Sequence, residues 1–139
     1  MNLDQCINFL LTGAQHNVFQ EMKKQLDQYE LTPIQYAVLK CIGELDLHNP
    51  KEIADYLMLE NSTISGILDR MENKGLIERS IDTEDRRYIR VDITEAARAL
   101  EKPVNKTVED VNKTVLSGFT NKEAEQLRTL LTKLIQETG

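Results

Sequence analysis

The sequence predicts a mainly α fold carrying one small two-stranded β element. Apolar residues recur every three or four positions at both ends of the chain, helix-start signals repeat along it, and the period shifts only once, to alternate positions, between residues 77 and 93. A length of 139 residues implies one domain, able to bury on the order of 70% of its unfolded surface.

The first 28 residues carry Leu3, Ile7, Leu10, Leu11, Ala14, Val18, Met22 and Leu26 with no Pro and one Gly, which predicts a long amphipathic helix. In "LTPIQY" Thr32 is placed as N-cap, Pro33 at the first helical position and Gln35 as the reciprocal cap, so a second helix starts there. It gives out near "DLHN", where Asn49, Pro50 and Glu52 repeat the signal and open a short third helix. "STISGILDRMENKG" sets Ile64, Ile67, Leu68 and Met71 on one side and offers Gly75 as its stop, a fourth helix. "LIERSI" and "RYIRVDI" place β-branched residues at alternate positions around the polar "DTED", two antiparallel strands joined by a turn. Thr94 then caps a fifth helix running to about Ser117, which Pro103 should kink or break, and the capping box "TNKE" opens a sixth.

Composition narrows the function. A net charge of −6 and a pI near 5.0 speak against a non-specific nucleic-acid coat, so any nucleic-acid contact must be local. The N-terminus lacks a basic segment and is interrupted by Asp4, Gln5 and Asn8, so neither a signal peptide nor a membrane span is expected, and the cytoplasm is the expected compartment. Cys6 and Cys41 lie far apart without C-x-x-C spacing, and His16 and His48 are the only histidines, so no metal and no cofactor is expected. No Gly-rich phosphate loop, H-E-x-x-H or G-x-S-x-G is present, and the chain does not read as an enzyme.

Residues 31–94 follow the plan of a winged helix: a helix-turn-helix whose second helix can enter a major groove, then a hairpin that can reach the flanking minor groove. Residues 1–30 and 95–139 would be dimerisation helices, because their apolar sides exceed what so small a lobe can cover. Opposite its apolar side the fourth helix shows Ser62, Thr63, Ser65, Gly66, Asp69, Arg70, Asn73 and Lys74, hydroxyls and small groups suited to phosphates and base edges. A solvated face with N-capping serines would account for any one of them alone; the constellation points to DNA. In "IDTEDRRYIRVDIT" three carboxylates, Asp82, Glu84 and Asp85, stand against three arginines, Arg86, Arg87 and Arg90. In extended chain Asp85 and Arg87 share a side, where the acid can brace the guanidinium for a narrow minor groove, while Asp82 can shape the turn through its own backbone. A surface hairpin with ordinary salt bridges accounts for the same residues without DNA.

"LTPIQYAVL", "STISGILDRMENKGLIERSIDTEDRRYIRVDIT" and "FTNKEAEQL", in that order, closely resemble the MarR family of bacterial transcriptional regulators along nearly the whole chain. The resemblance implies a homodimer built by interleaving the first and last two helices, with two winged lobes on a pseudo-palindromic operator of double-stranded DNA. It implies Asp85 and Arg87 as the wing's brace and minor-groove arginine, with Arg86 beside them, and Ser62, Thr63, Ser65, Gly66 and Arg70 as the recognition-helix contacts. Gly66 departs from the larger polar or basic residue many members carry there, so readout at that point would be weaker or made by closer backbone approach. The family's peroxide-sensing branch uses a first-helix cysteine hydrogen-bonded by tyrosines. Counting back from "TPIQY", Asn8 rather than Cys6 falls at that position, and Pro33 replaces one tyrosine. A small aromatic or apolar acid, bound between the dimer helices and the lobe within reach of His16 and Tyr36, is the expected effector, releasing a repressor from its operator; an interface histidine and a core tyrosine explain the same two residues. The alternatives are a winged-helix protein-interaction module that never touches DNA, and a thiol-based redox regulator.

Overall fold

In the computed structural model, which describes residues 1–138, a short 3-10 turn (Leu3–Gln5) leads into six helices and one hairpin. They are α1 (Ile7–Leu26), α2 (Pro33–Gly43), α3 (Pro50–Tyr56), α4 (Asn61–Asn73), β1 (Ile77–Ile81), β2 (Ile89–Ile93), α5 (Glu95–Val115) and α6 (Asn121–Thr138). The strands pair antiparallel in the register Ile77 to Ile93 and Ile81 to Ile89.

The start signals work through their side chains. Thr32 accepts from the Gln35 amide at 3.2 Å while Gln35 accepts from the Thr32 amide at 3.1 Å, and Thr120 and Glu123 repeat the exchange at 3.1 and 2.9 Å. Asn49 accepts from the amides of Lys51 and Glu52, and Thr94 from that of Ala97. Each such cap contributes about 1 kcal/mol by satisfying donors that the first turn leaves unpaired.

Three expectations need correction. The first helix does not run from the chain start: Asn2 and Gln5 form their own capping box around the 3-10 turn, and Cys6 is extended before α1 begins at Ile7. The serines do not cap α4, since Glu60 holds the N-cap position and makes no side-chain cap bond, which leaves Ser62 and Thr63 inside the first turn. Pro103 does not break α5, which runs unbroken from Glu95 to Val115. Pro103 and Ala99, the residue whose carbonyl loses its partner, both lie on the exposed side where water can satisfy that oxygen. The Tyr29 hydroxyl also donates to the Pro103 carbonyl at 3.2 Å and bonds Thr107 at 2.9 Å, pinning the 3-10 turn that follows α1 (Asp27–Tyr29) to this part of α5.

The core sits in the lobe, where Val38, Cys41, Ile42, Ile53, Ile64, Leu68, Met71, Ile77 and Val91 are buried together. The hairpin is tied into it by the segment between α2 and α3: the Val91 amide donates to the His48 carbonyl at 2.8 Å, and His48 Nδ1 lies 2.8 Å from the Val91 carbonyl. Three helix ends use the same six-residue turn, one of them after Leu26, where Glu30 (φ 55°) donates to Asp27 and Leu31 to Leu26. At the end of α4, Gly75 (φ 74°) donates to Glu72 and Leu76 donates to Met71. At the end of α3, Met58 (φ 58°) donates to Asp55 and Leu59 to Ala54, so a methionine occupies the left-handed position that glycine takes after α4.

The terminal helices contrast with the lobe. Leu26 alone is buried on α1, while Ile7, Phe9, Leu10, Val18 and Phe19 are exposed, and α6 exposes Leu130, Leu131 and Ile135.

Candidate nucleic-acid interface

Burial of Ile64, Ile67, Leu68 and Met71 fixes how α4 is turned. At helical spacing, Ser62, Gly66, Asp69 and Asn73 then form the stripe opposite the core, flanked by Thr63 and Arg70 on one side and Ser65 and Glu72 on the other. All are exposed except Gly66, which is half-buried. Part of that cover is Arg70: a Cβ added at Gly66 would meet its Nη1 at 3.6 Å, so the guanidinium lies back along the helix over the glycine. The side chains of Arg70 and of Arg86, on the wing, make no hydrogen bond or ion pair among the described residues.

The wing tip, residues 82–88, is a chain of turns rather than extended backbone. Asp82 Oδ1 accepts from the amides of Glu84 at 2.8 Å and Asp85 at 3.4 Å, which folds the chain back. Asp85 then accepts from Arg87 three times, from its amide at 3.1 Å, Nε at 3.0 Å and Nη2 at 2.7 Å. The brace read from the sequence is therefore made, but a turn brings the two residues together, not strand alternation; the Tyr88 amide closes it on the Asp85 carbonyl at 3.1 Å. The Arg87 guanidinium lies 5.6 Å from the Tyr88 ring centroid. It holds the Asp85 carboxyl below the ordinary carboxylate range, chiefly through the side-chain bonds, and is itself raised in return. With its side chain 81% exposed, Arg87 is aimed at solvent and held there.

Between α4 and the wing lies an open groove of about 600 Å³, lined among others by Lys51, Ser65, Arg79, Ser80 and Arg87. Arg79, on β1, was not singled out in the sequence. It reaches α4, with Nη2 2.7 Å from Asp69 and 3.0 Å from Glu72, and holds the Glu72 carboxyl below its usual range. Only the packing of strand on helix brings residues 69, 72 and 79 together, so sequence spacing carried no signal.

The structure does not bring His16 and Tyr36 to one site within the chain. Tyr36 lines a small cavity of about 100 Å³ between α2 and α5 with Lys40, Arg98 and Glu101, whereas His16 is exposed on α1 and is not part of its wall. Burial, as the largest cause, pushes the Tyr36 hydroxyl up, and the Glu44 carboxylate, 2.8 Å away, raises Lys40. Cys41 is buried and its thiol is pushed up by desolvation; Cys6 is half-buried. No cluster of three His, Cys, Asp or Glu able to hold a metal occurs among the described residues, and no described helix is long and apolar enough to cross a membrane.

A helix-turn-helix core, an exposed second helix of small polar side chains and a braced arginine at the tip of a hairpin define the winged-helix class. A model of the MarR family matches residues 31–89. The chain is 31% identical over 135 residues to the organic hydroperoxide resistance transcriptional regulator of Bacillus subtilis, covering 96% of this chain and 88% of that one. Its fold matches a MarR-family transcriptional regulator from Rhodococcus with a TM-score of 0.87 and 27% identity, covering 96% and 95% of the two chains. It also matches a mutant MarR from E. coli complexed with operator DNA with a TM-score of 0.85, at 23% identity and 92% coverage of both chains. The chain belongs to the MarR family of transcriptional regulators.

Proposed function

We propose that the protein is a sequence-specific, double-stranded DNA-binding repressor that binds a pseudo-palindromic operator as a homodimer and is released by a small-molecule effector. The observation that carries the reading is the Asp85–Arg87 brace: a charged, exposed donor whose guanidinium is held by two bonds and whose backbone is held by a third at the wing tip, on the same lobe as a helix whose outward face begins with small polar side chains. With α4 in a major groove and Arg87 in the adjacent minor groove, the phosphate strand dividing the grooves would run through the gap between them, where Lys51 and Ser65 stand. Ser62, Thr63, Ser65, Gly66 and Arg70 would then meet base edges and phosphates, with Arg86 adding charge at the wing. The exposed apolar residues of α1 and α6 support the dimer, since a lone chain would leave them in water.

Selection of duplexes from a random pool followed by footprinting tests this. Two lobes reading half-sites one helical turn apart should protect about 15–20 bp, with affinity falling steeply as salt rises. Failure to select any duplex, or a flat salt response, would favour a protein-interaction module.

For the effector, the cavity beside Tyr36 is too small for a drug-sized molecule, so a small aromatic or apolar acid would enter only by parting α2 from α5, with Lys40 and Arg98 as the cations for its carboxylate. Parting them shifts the lobe against the terminal helices and changes the spacing of the two recognition helices. His16 would take part from across a dimer interface. The relative named for organic hydroperoxide resistance keeps a thiol reading in play: DNA release by peroxide alone, abolished by Cys6→Ser, would replace the pocket with the thiol.

A further inference from the structure

The outward face of α4 carries a feature that works against DNA. Asp69 stands in line with Ser62, Gly66 and Asn73, and Glu72 stands on the flank beside it, their side chains 59% and 41% exposed. Two carboxylates thus lie where phosphates would approach. Arg79 meets both: Nη2 bridges Asp69 Oδ1 at 2.7 Å and Glu72 Oε1 at 3.0 Å, and Nε reaches Glu72 Oε2 at 3.4 Å. The direction of its side chain is set by the sheet, because Arg79 pairs with the buried Val91 and shares the inner face of the wing with it. One guanidinium therefore neutralises two acids on the helix while joining the helix to the strand that leads to the tip. The guanidinium adds to this bridge a second, parallel bond from Nε to Glu72, a fork that a lysine ammonium does not offer.

We propose that Arg79 is a positioning residue for DNA recognition that acts through Asp69 and Glu72, masking their carboxylates from the phosphates. The proposal rests on the DNA-binding reading above. Unmasked, the two carboxylates would oppose the phosphates at short range through water, weakening binding about tenfold at low salt, and added salt would screen this repulsion.

The test measures, by fluorescence anisotropy, binding to a duplex the wild-type protein has itself selected, at about 50 mM and about 300 mM salt. Arg79→Gln should bind about tenfold more weakly at the lower salt, with the deficit shrinking at the higher. Adding Asp69→Asn and Glu72→Gln to Arg79→Gln should recover most of the affinity, although the tie between helix and strand stays broken. The Asp69→Asn/Glu72→Gln protein with Arg79 intact should bind at least as tightly as wild type, with a steeper salt dependence. A deficit equal at both salts and unrecovered in the triple variant would reduce Arg79 to a structural brace and overturn the proposal, as would unchanged binding by Arg79→Gln or weaker binding by the double variant. Those failures leave the DNA-binding reading standing. If the wild-type protein selects no duplex, that reading falls and the masking proposal with it.

Discussion

Replacing Met58 by glycine should make the protein more stable, a result opposite to the usual effect of removing a large apolar side chain. Met58 sits at φ 58° in the turn that ends α3 and launches α4, and its side chain, 76% exposed, buries little that could be lost. A non-glycine residue in the left-handed region carries roughly 1–2 kcal/mol of steric strain from its Cβ. Glycine relieves it but adds freedom to the unfolded chain, which offsets up to about 1 kcal/mol. With the full offset the balance is a gain of up to about 1 kcal/mol, or up to about 3 °C in midpoint for a chain of this length. Urea unfolding followed by circular dichroism, at matched protein concentration, measures it, with Met58→Ala as control because alanine keeps the Cβ and therefore the strain. Equal effects of glycine and alanine would refute the reasoning, and a loss in both would mean that the methionine side chain is needed at this turn. Operator affinity of the glycine variant reports separately on whether strain here presets the pitch of α4.

At the wing, Arg87→Ala should weaken binding to a selected site roughly ten- to hundredfold by filter binding, and Asp85→Ala should weaken it less but in the same direction; tighter binding by Asp85→Ala would show that the acid merely balances charge. Because the Asp85 carboxyl is held below its ordinary range, the brace is fully present above that range and is lost only as pH falls through the lowered value, so affinity measured from about pH 8 down to about pH 5 should show no loss traceable to Asp85. Cys41 is buried with its thiol pushed up, so a colourimetric thiol titration of the native protein should register Cys6 and reach Cys41 only in denaturant. Light scattering at micromolar concentration should give the mass of two chains, and a stable monomer would remove the dimer from the proposed function.

Much of this was legible because local chemistry decided it. Thr32 with Gln35, Asn49 with Glu52 and Thr120 with Glu123 are contacts three residues apart, so the helices they start are written where they occur. Gly75 and the β-branched alternation around it place the switch from helix to wing in the same way. The brace was legible as a pairing but not as a geometry, since Asp85 reaches Arg87 through a turn that Asp82 folds. What could not be read depended on distant packing: Arg79 against Asp69 and Glu72, the His48 carbonyl against Val91, and the placing of Ala99 and Pro103 on the exposed side of α5. The separation of His16 from the Tyr36 cavity belongs with these, because two residues on helices say nothing of their distance until the helices are packed.

Among the described residues, the hydrogen bonds of the Asp85–Arg87 unit, from the Asp82 fold to the Tyr88 amide, are all made within residues 82–88. The tip thus carries hydrogen-bonded stiffness of its own. Substitutions there would redirect or silence the proposed minor-groove arm while leaving the buried residues of the lobe undisturbed, and changes in the lobe could drift without slackening the arm. On the proposed DNA-binding reading, the share of target preference that falls to the wing would then sit apart from the folding core, so a lineage could adjust that share through a heptapeptide, one residue at a time, with each step tested by selection on a protein that still folds.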